Sequence, residues 1–183
     1  MASPETLFSK LKTLAPQVKK VLVVHTEQSK WIIEYASKIA KNHQLALNSI
    51  SVADIKGAAE TYNSIFEESN GDTAIWLPLD PVTANDKVIV PEVLKKAWEN
   101  KMVVFSSKPT HAKRGALFSA IPDNEMLGKQ LGKFVNTVDH TKRPSTVLPL
   151  DKIKLAVNLR TAAHLGYSYD AEKKSEFDLT FPN

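Results

Sequence analysis

Five polar residues fall where apolar runs end: Thr26 and Ser29 follow Lys20 to His25, Asp80 follows Thr73 to Leu79, and Ser106 and Ser107 follow Met102 to Phe105. Hydroxyls beside the free N–H groups of a helix start suit an anionic group, and a carboxylate suits a cation. Their combined chemistry is ligand binding, with Thr26, Ser29, Asp80, Ser106 and Ser107 as candidate contacts. Plainer uses stand beside it. Asp80 before Pro81 has the form of an N-cap and N1 pair, and Thr26 and Ser29 can cap a helix. Ser106, Ser107 and Lys108 can be turn residues, and His25 at a run's end can pack as a neutral imidazole. As a cap alone, Asp80 tolerates Asn with little loss of stability.

Signatures of catalysis and of metal binding are missing. The histidines, at 25, 43, 111, 140 and 164, include no pair three or four apart, and there is no cysteine to serve as nucleophile or zinc ligand. No Gly-x-Ser-x-Gly elbow, phosphate loop or Gly-x-Gly-x-x-Gly turn occurs. Gly128 and Gly132 lie four apart beside Lys129, Gln130 and Lys133, which suits close helix packing rather than a membrane interface. The expectation is a protein without catalytic activity and without cofactor or metal.

The elements that must position these residues alternate. After a helix opened by Ser3-Pro4-Glu5 and closed by Pro16, the unalternating run Lys20 to His25 reads as a strand buried on both faces. Helical periodicity from Ser29 to Asn42, a strand from Leu45 to Val52, a helix from Ala58 to Phe66 and a strand from Thr73 to Leu79 follow. A helix from Pro91 to Asn100, strands at Met102 to Phe105 and Ala116 to Ile121, and a helix capped by Asp123 through Val135 complete the set. This pattern predicts an α/β class with a doubly wound parallel sheet in the flavodoxin-like order 2-1-3-4-5, in which ligands sit beyond the strand ends where the order reverses. Residues 1–16 form a lead-in helix, 17–138 a Rossmann-like ligand-binding lobe, and 139–183 a C-terminal extension. That extension holds a polar, proline-bearing stretch from His140 to Pro149, a strand at Ile153 to Val157 and a helix at Leu159 to Leu165 stopped by Gly166, with Phe177, Leu179 and Phe181 as anchors.

Bulk properties narrow the class further. With 43% hydrophobic and 24% charged residues the chain is neither disordered nor membrane-spanning in character. The formal charge of +4 comes from lysine pairs such as Lys19-Lys20, Lys95-Lys96 and Lys173-Lys174, scattered rather than striped, and the tryptophans sit in apolar segments. Nucleic acid and membrane insertion are therefore not expected. No charged and apolar leader marks the first residues, so no signal peptide is expected in this chain.

Several stretches, read in order, resemble the substrate-binding proteins of ABC transporters. They are Leu14-Ala15-Pro16-x-x-Lys19-Lys20-Val21; Ala74-Ile75-Trp76-Leu77-Pro78-Leu79-Asp80; Val103-Val104-Phe105-Ser106-Ser107; Lys113-Arg114-Gly115-Ala116-Leu117 with Leu127-Gly128-Lys129-Gln130; and Val157-Asn158-Leu159 with Leu165-Gly166. The resemblance covers roughly residues 10–168 and implies one lobe of a periplasmic clamshell. It implies capture of a small polar molecule, such as an amino acid, for an ABC permease outside the cytoplasm, and a ligand-facing role for Asp80. It also implies that the match begins at the second lobe, so that this chain alone binds weakly and its partners include a first lobe. A rival reading is a sensory domain that keeps the fold and signals by dimerising.

An exposed lobe face leaves an apolar patch near the fifth strand, and a homodimer is the consequence. Sedimentation at high micromolar concentration is expected to show self-association; a clean monomer contradicts it.

Overall fold

A computed structural model of the protein describes residues 2–68, 71–137, 150 and 152–182. Helix α1 (Pro4–Leu14) precedes β1 (Lys20–His25), α2 (Lys30–Ala40), β2 (Ala46–Ser51), α3 (Ile55–Glu68), β3 (Thr73–Leu77), α4 (Ile89–Glu99) and β4 (Val103–Ser106). Then come α5 (Thr110–Arg114), β5 (Phe118–Pro122), α6 (Asn124–Thr137), β6 (Ile153–Asn158), α7 (Leu159–His164), α8 (Ala171–Ser175) and β7 (Leu179–Phe181). The seven strands form one sheet in the order β2-β1-β3-β4-β5-β6-β7, so the class and the order of the first five strands agree with the sequence reading.

Strands β1 to β5 are parallel, and β6 runs antiparallel to β5 in the register Phe118 with Val157. Strand β7 then pairs parallel with β6, so the C-terminal segment extends the same sheet instead of forming an appendage. The segment from His140 to Pro149 lies outside the described residues.

One face of the sheet packs under α1 and α2, where Leu7, Phe8, Leu11, Ile32 and Ile33 are buried against Val21, Val23 and Trp76. The other packs under α3 and α4, with Tyr62, Ile65, Ile89 and Val93 against Ile75, Leu77 and Val104. Burial on both faces is why β3 and β4 read as unbroken apolar runs. Across β3, β4 and β5 the register aligns Trp76, Phe105 and Phe118, whose rings stack at 6.2 and 5.2 Å, while Phe8 meets the first two edge-on. Such cross-strand aromatic pairs fix register and add to area burial.

Of the two helix starts with an expected side-chain cap, one departs from expectation. Ser3 stands at the N-cap of α1, but its hydroxyl makes no cap bond; its N–H donates to the Leu150 carbonyl instead, tying the first turn to a distant segment. Asp123 does cap α6, accepting from Met126 N at 3.0 Å. At the end of α7, Gly166 takes φ 83°, which lets Tyr167 N reach the Ala162 carbonyl at 2.8 Å in a Schellman closure. On α6, which follows β5, Leu131 and Val135 are each 54% exposed.

Asn158 joins β6 to two other elements. Its Oδ1 accepts from Thr161 N at 2.8 Å and caps α7, while its Nδ2 donates to the buried Ala112 carbonyl of α5 at 2.8 Å. Asn158→Ala loses the cap and one of two bonds to that carbonyl, which still accepts from Gly115 N at 3.2 Å, so urea denaturation is expected to show a loss of about 1–2 kcal/mol. Asn158→Ser keeps a cap oxygen and is expected to lose less; a change below about 0.5 kcal/mol in the alanine variant contradicts this role.

Candidate functional site

Strand order reverses at β1, which has β2 on one side and β3 on the other. The carboxyl ends of β1 and β3 therefore open the crevice where sheets of this class bind ligands. Both ends carry polar residues, and the structure brings the first three candidates into contact. Asp80 Oδ2 accepts from Thr26 N at 2.9 Å, Thr26 Oγ1 at 2.7 Å and Ser29 Oγ at 2.8 Å. Its Oδ1 accepts from Val82 N and Thr83 N, each at 3.0 Å.

Asp80 is thus more than a cap. It is 2% exposed, and five donors from two loops occupy both of its oxygens. Burial alone raises its pKa, but the bonds from Thr83, Thr26 and Ser29 outweigh that and bring the carboxyl down to about 2. The group is a fixed anion that clamps the end of β1 to the loop after β3. Val82 and Thr83 supply the N–H groups that an ordinary N-cap uses; the direct bonds from Thr26 and Ser29 go beyond a cap.

Ser106 and Ser107 lie at the end of β4, in the same row of strand ends. The Ser107 hydroxyl accepts from Trp76 Nε1 at 3.1 Å, and the Ser106 hydroxyl lies 2.7 Å from His111 Nδ1 and 3.2 Å from the Leu77 carbonyl while accepting from Lys108 N. His111 Nε2 in turn donates to Asp86 Oδ1 at 3.0 Å. A serine, a histidine and an aspartate in series have the order of a nucleophilic relay. Here, however, Ser106 is fully buried and its oxygen is ringed by three partners, which leaves no approach for a substrate carbon. The series holds β4, α5 and the loop after β3 together.

Asp86 was not among the candidates, yet it is the centre of the exposed charge at this end. Lys108 Nζ, His111 Nε2 and Arg114 Nη1 all donate to its carboxylate, and Arg114 Nη2 donates to its carbonyl at 2.7 Å. Lys108 is the main cause of its lowered pKa, opposed by burial and aided by His111. Burial in turn lowers the His111 pKa, opposed by Asp86, with Lys108 and Arg114 lowering it further. In sequence, Asn85-Asp86-Lys87 names a polar turn and gives no hint of partners 22 to 28 residues further on.

Two open clefts sit over this end of the sheet. One, of about 480 Å³, is lined by Leu79, Asp80, Asn85, Asp86, Lys87 and Lys108 among others. Its neighbour, of about 450 Å³, is lined by Thr26, Glu27, Gln28, Ser51, Val52 and Val82 among others. Leu79, half exposed, supplies an apolar surface beside the Asp86 and Lys108 charges. Among the described residues no cluster of histidine and carboxylate groups could hold a metal ion, and no helix is long and apolar enough to cross a membrane.

Solved structures with this fold come from several bacteria. The chain aligns with a conserved domain protein from Vibrio cholerae (TM-score 0.72, 21% identity, 98% of this chain and 60% of that one). It aligns similarly with the ABC domain in complex with L-Trp from Streptococcus pneumonia (TM-score 0.74, 20% identity, 98% and 61%). A ligand-free, open substrate binding protein with adhesive properties from Clostridium difficile gives TM-score 0.69 at 21% identity, with 98% and 60% covered. The chain thus spans about three fifths of the length of these proteins. No curated protein matches it. The model of the family described as ABC transporter substrate binding protein matches residues 5–173, and on that match, which takes in the whole strand-end site, this chain belongs to that family.

Proposed function

We propose that the chain is the solute-binding component, or a lobe of one, of an ABC-type transport system outside the cytoplasm. It captures a small polar molecule and passes it to a permease without making or breaking a bond. The observation that carries this reading is the charged cleft at the carboxyl ends of the parallel strands, in a chain of a substrate-binding family. One structural relative was solved with L-Trp, which favours an amino acid as the ligand here. An apolar surface at Leu79 beside opposed charges at Asp86 and Lys108 has the chemistry that such a zwitterion needs.

The roles of the candidate residues divide by exposure. Thr26, Ser29, Asp80, Ser106 and Ser107, all buried, form the floor that holds the strand ends in place. Lys108 and Asp86, with side chains 35% and 41% exposed, form the rim that meets the ligand. A clamshell binds tightly by closing a second lobe over such a floor, so this chain alone binds weakly. Leu131 and Val135, exposed on α6, supply an apolar surface for that lobe. The same two residues suit a second copy of the chain, which is the observation that favours a dimerising sensory domain as the second reading.

Titration calorimetry with L-tryptophan and a panel of other L-amino acids at millimolar concentration is expected to show weak binding. Lys108→Ala is expected to weaken it about tenfold, the worth of one charge-assisted hydrogen bond. A folded parent chain that binds no amino acid contradicts the ligand assignment.

Asp80 is expected to act through stability first. Because both oxygens accept, Asp80→Asn turns an NH₂ group toward at least two donors, and a loss of about 2–3 kcal/mol in urea denaturation is expected. The pH dependence follows from a folded pKa of about 2, below the ordinary 3.8. The stabilisation is fully present above about pH 4 and is lost as pH falls toward 2, by on the order of 2 kcal/mol. Equal stability of parent and Asp80→Asn at pH 7 contradicts the clamp.

A further inference from the structure

The lysines and arginines that look scattered in sequence do not stay scattered in the fold. Residues from α4, from α5 with Gly115, and from the start of α7 enclose a groove of about 520 Å³ whose lining includes Lys95, Lys113, Arg114 and Arg160. The rest of the lining is Pro91, Leu94, Trp98, Gly115, Asn158 and Thr161, so four cations meet there with no carboxylate among them. The whole chain carries a formal excess of +4, which makes this a marked concentration of positive charge. Of the polar pair, Asn158 already donates to the Ala112 carbonyl and Thr161 to the Gly115 carbonyl, so the charged groups are what the groove offers.

Two of the four cations are held in place. The Arg160 guanidinium lies 5.4 Å from the centre of the Trp98 ring, a cation–π contact. Trp98 is itself fixed, stacked on His164 with ring centres 3.6 Å apart, while His164 Nε2 donates to the Trp98 carbonyl at 2.8 Å. Arg114 is anchored through Asp86 on the far side, by its Nη1 to Oδ1 and its Nη2 to the carbonyl. Lys95 and Lys113 have no carboxylate partner among the described residues and remain free to close on an incoming group.

With Arg114 already paired to Asp86, Lys95, Lys113 and Arg160 are the like charges in the groove that lack a carboxylate partner among the described residues, and the cost of their repulsion is relieved when an anion enters. Guanidinium groups held in advance lose less freedom on binding than mobile ones, and their planar forks suit oxyanions. We propose that this groove is a second binding site, separate from the strand-end cleft, for a small multiply charged anion bearing phosphate or several carboxylates. A nucleic acid fits less well, because the cations converge on one groove of small-molecule size and its one aromatic ring is already engaged by His164 and Arg160. The assignment stands independently of the transport reading: among the described residues, Arg114 alone of the groove lining bonds to the strand-end rim, at Asp86, and the other three cations do not.

The test is titration calorimetry of the whole chain with pyrophosphate and, separately, with citrate, in a buffer of low ionic strength. Binding of at least one is expected, and the tighter of the two defines the charged group. Arg160→Ala and Lys113→Glu are each expected to weaken it at least about tenfold, and Lys38→Glu, a reversal on the exposed side of α2, by less than about twofold. Circular dichroism confirms that each variant is folded, and Lys95→Gln, a milder change at the surface, is expected to weaken binding in the same direction. Absence of binding by the parent overturns the proposal. So does an equal loss in Lys38→Glu, which would mark diffuse attraction to the chain's net charge, or a single-stranded oligonucleotide binding the groove more tightly than either small anion.

Discussion

The structure turns on one buried ionised carboxylate at the point where strand order reverses. An anion out of water is costly unless every lone pair is met, and Asp80 meets that condition with five donors drawn from the end of β1 and the loop after β3. Because those donors include two side-chain hydroxyls, Thr26 and Ser29 are committed as well. The floor of the cleft is thereby rigid. Groups that still face water at this end of the sheet include Leu79, Asp86, Lys87 and Lys108, with Glu27 and Gln28 beside the neighbouring cleft.

That floor is held from below by the aromatic row of Trp76, Phe105 and Phe118, which fixes the heights of β3, β4 and β5 relative to one another. Trp76 also reaches the functional end directly, through its Nε1 bond to Ser107. Core packing and site geometry are consequently one structure: a change in ring stacking moves the strand ends, and with them the Ser106, His111 and Asp86 series.

Much of the fold was legible in the sequence because it rests on periodicity. The unbroken apolar runs of β1, β3 and β4 announced burial on both faces, and the helix between each pair announced parallel strands. Shorter elements left no period to read: α5 and α8 have five residues each and β7 has three. For the same reason the C-terminal segment looked like an appendage, although β6 and β7 complete the sheet; antiparallel pairing with β5 is a long-range fact that no local pattern carries. Trp98 belongs here too. It reads as part of an apolar segment, but it stands among Lys95, Lys96, Glu99 and Asn100 and is 37% exposed, because α4 turns that position outward. Among the site residues, Asp80 was visible from its place before Pro81, whereas Asp86, in a plain polar turn, gained meaning only when folding set it beside Lys108, His111 and Arg114.

The most direct measurement is a nitrogen-15 chemical-shift map of the whole chain titrated with L-tryptophan to millimolar concentration. Shifts are expected to concentrate at the strand ends, at Thr26, Leu79 to Lys87 and Ser106 to Lys108, with the amides of α2 and α3 far from that end unmoved. Shifts absent from the strand ends, or centred on another face of the sheet, contradict it.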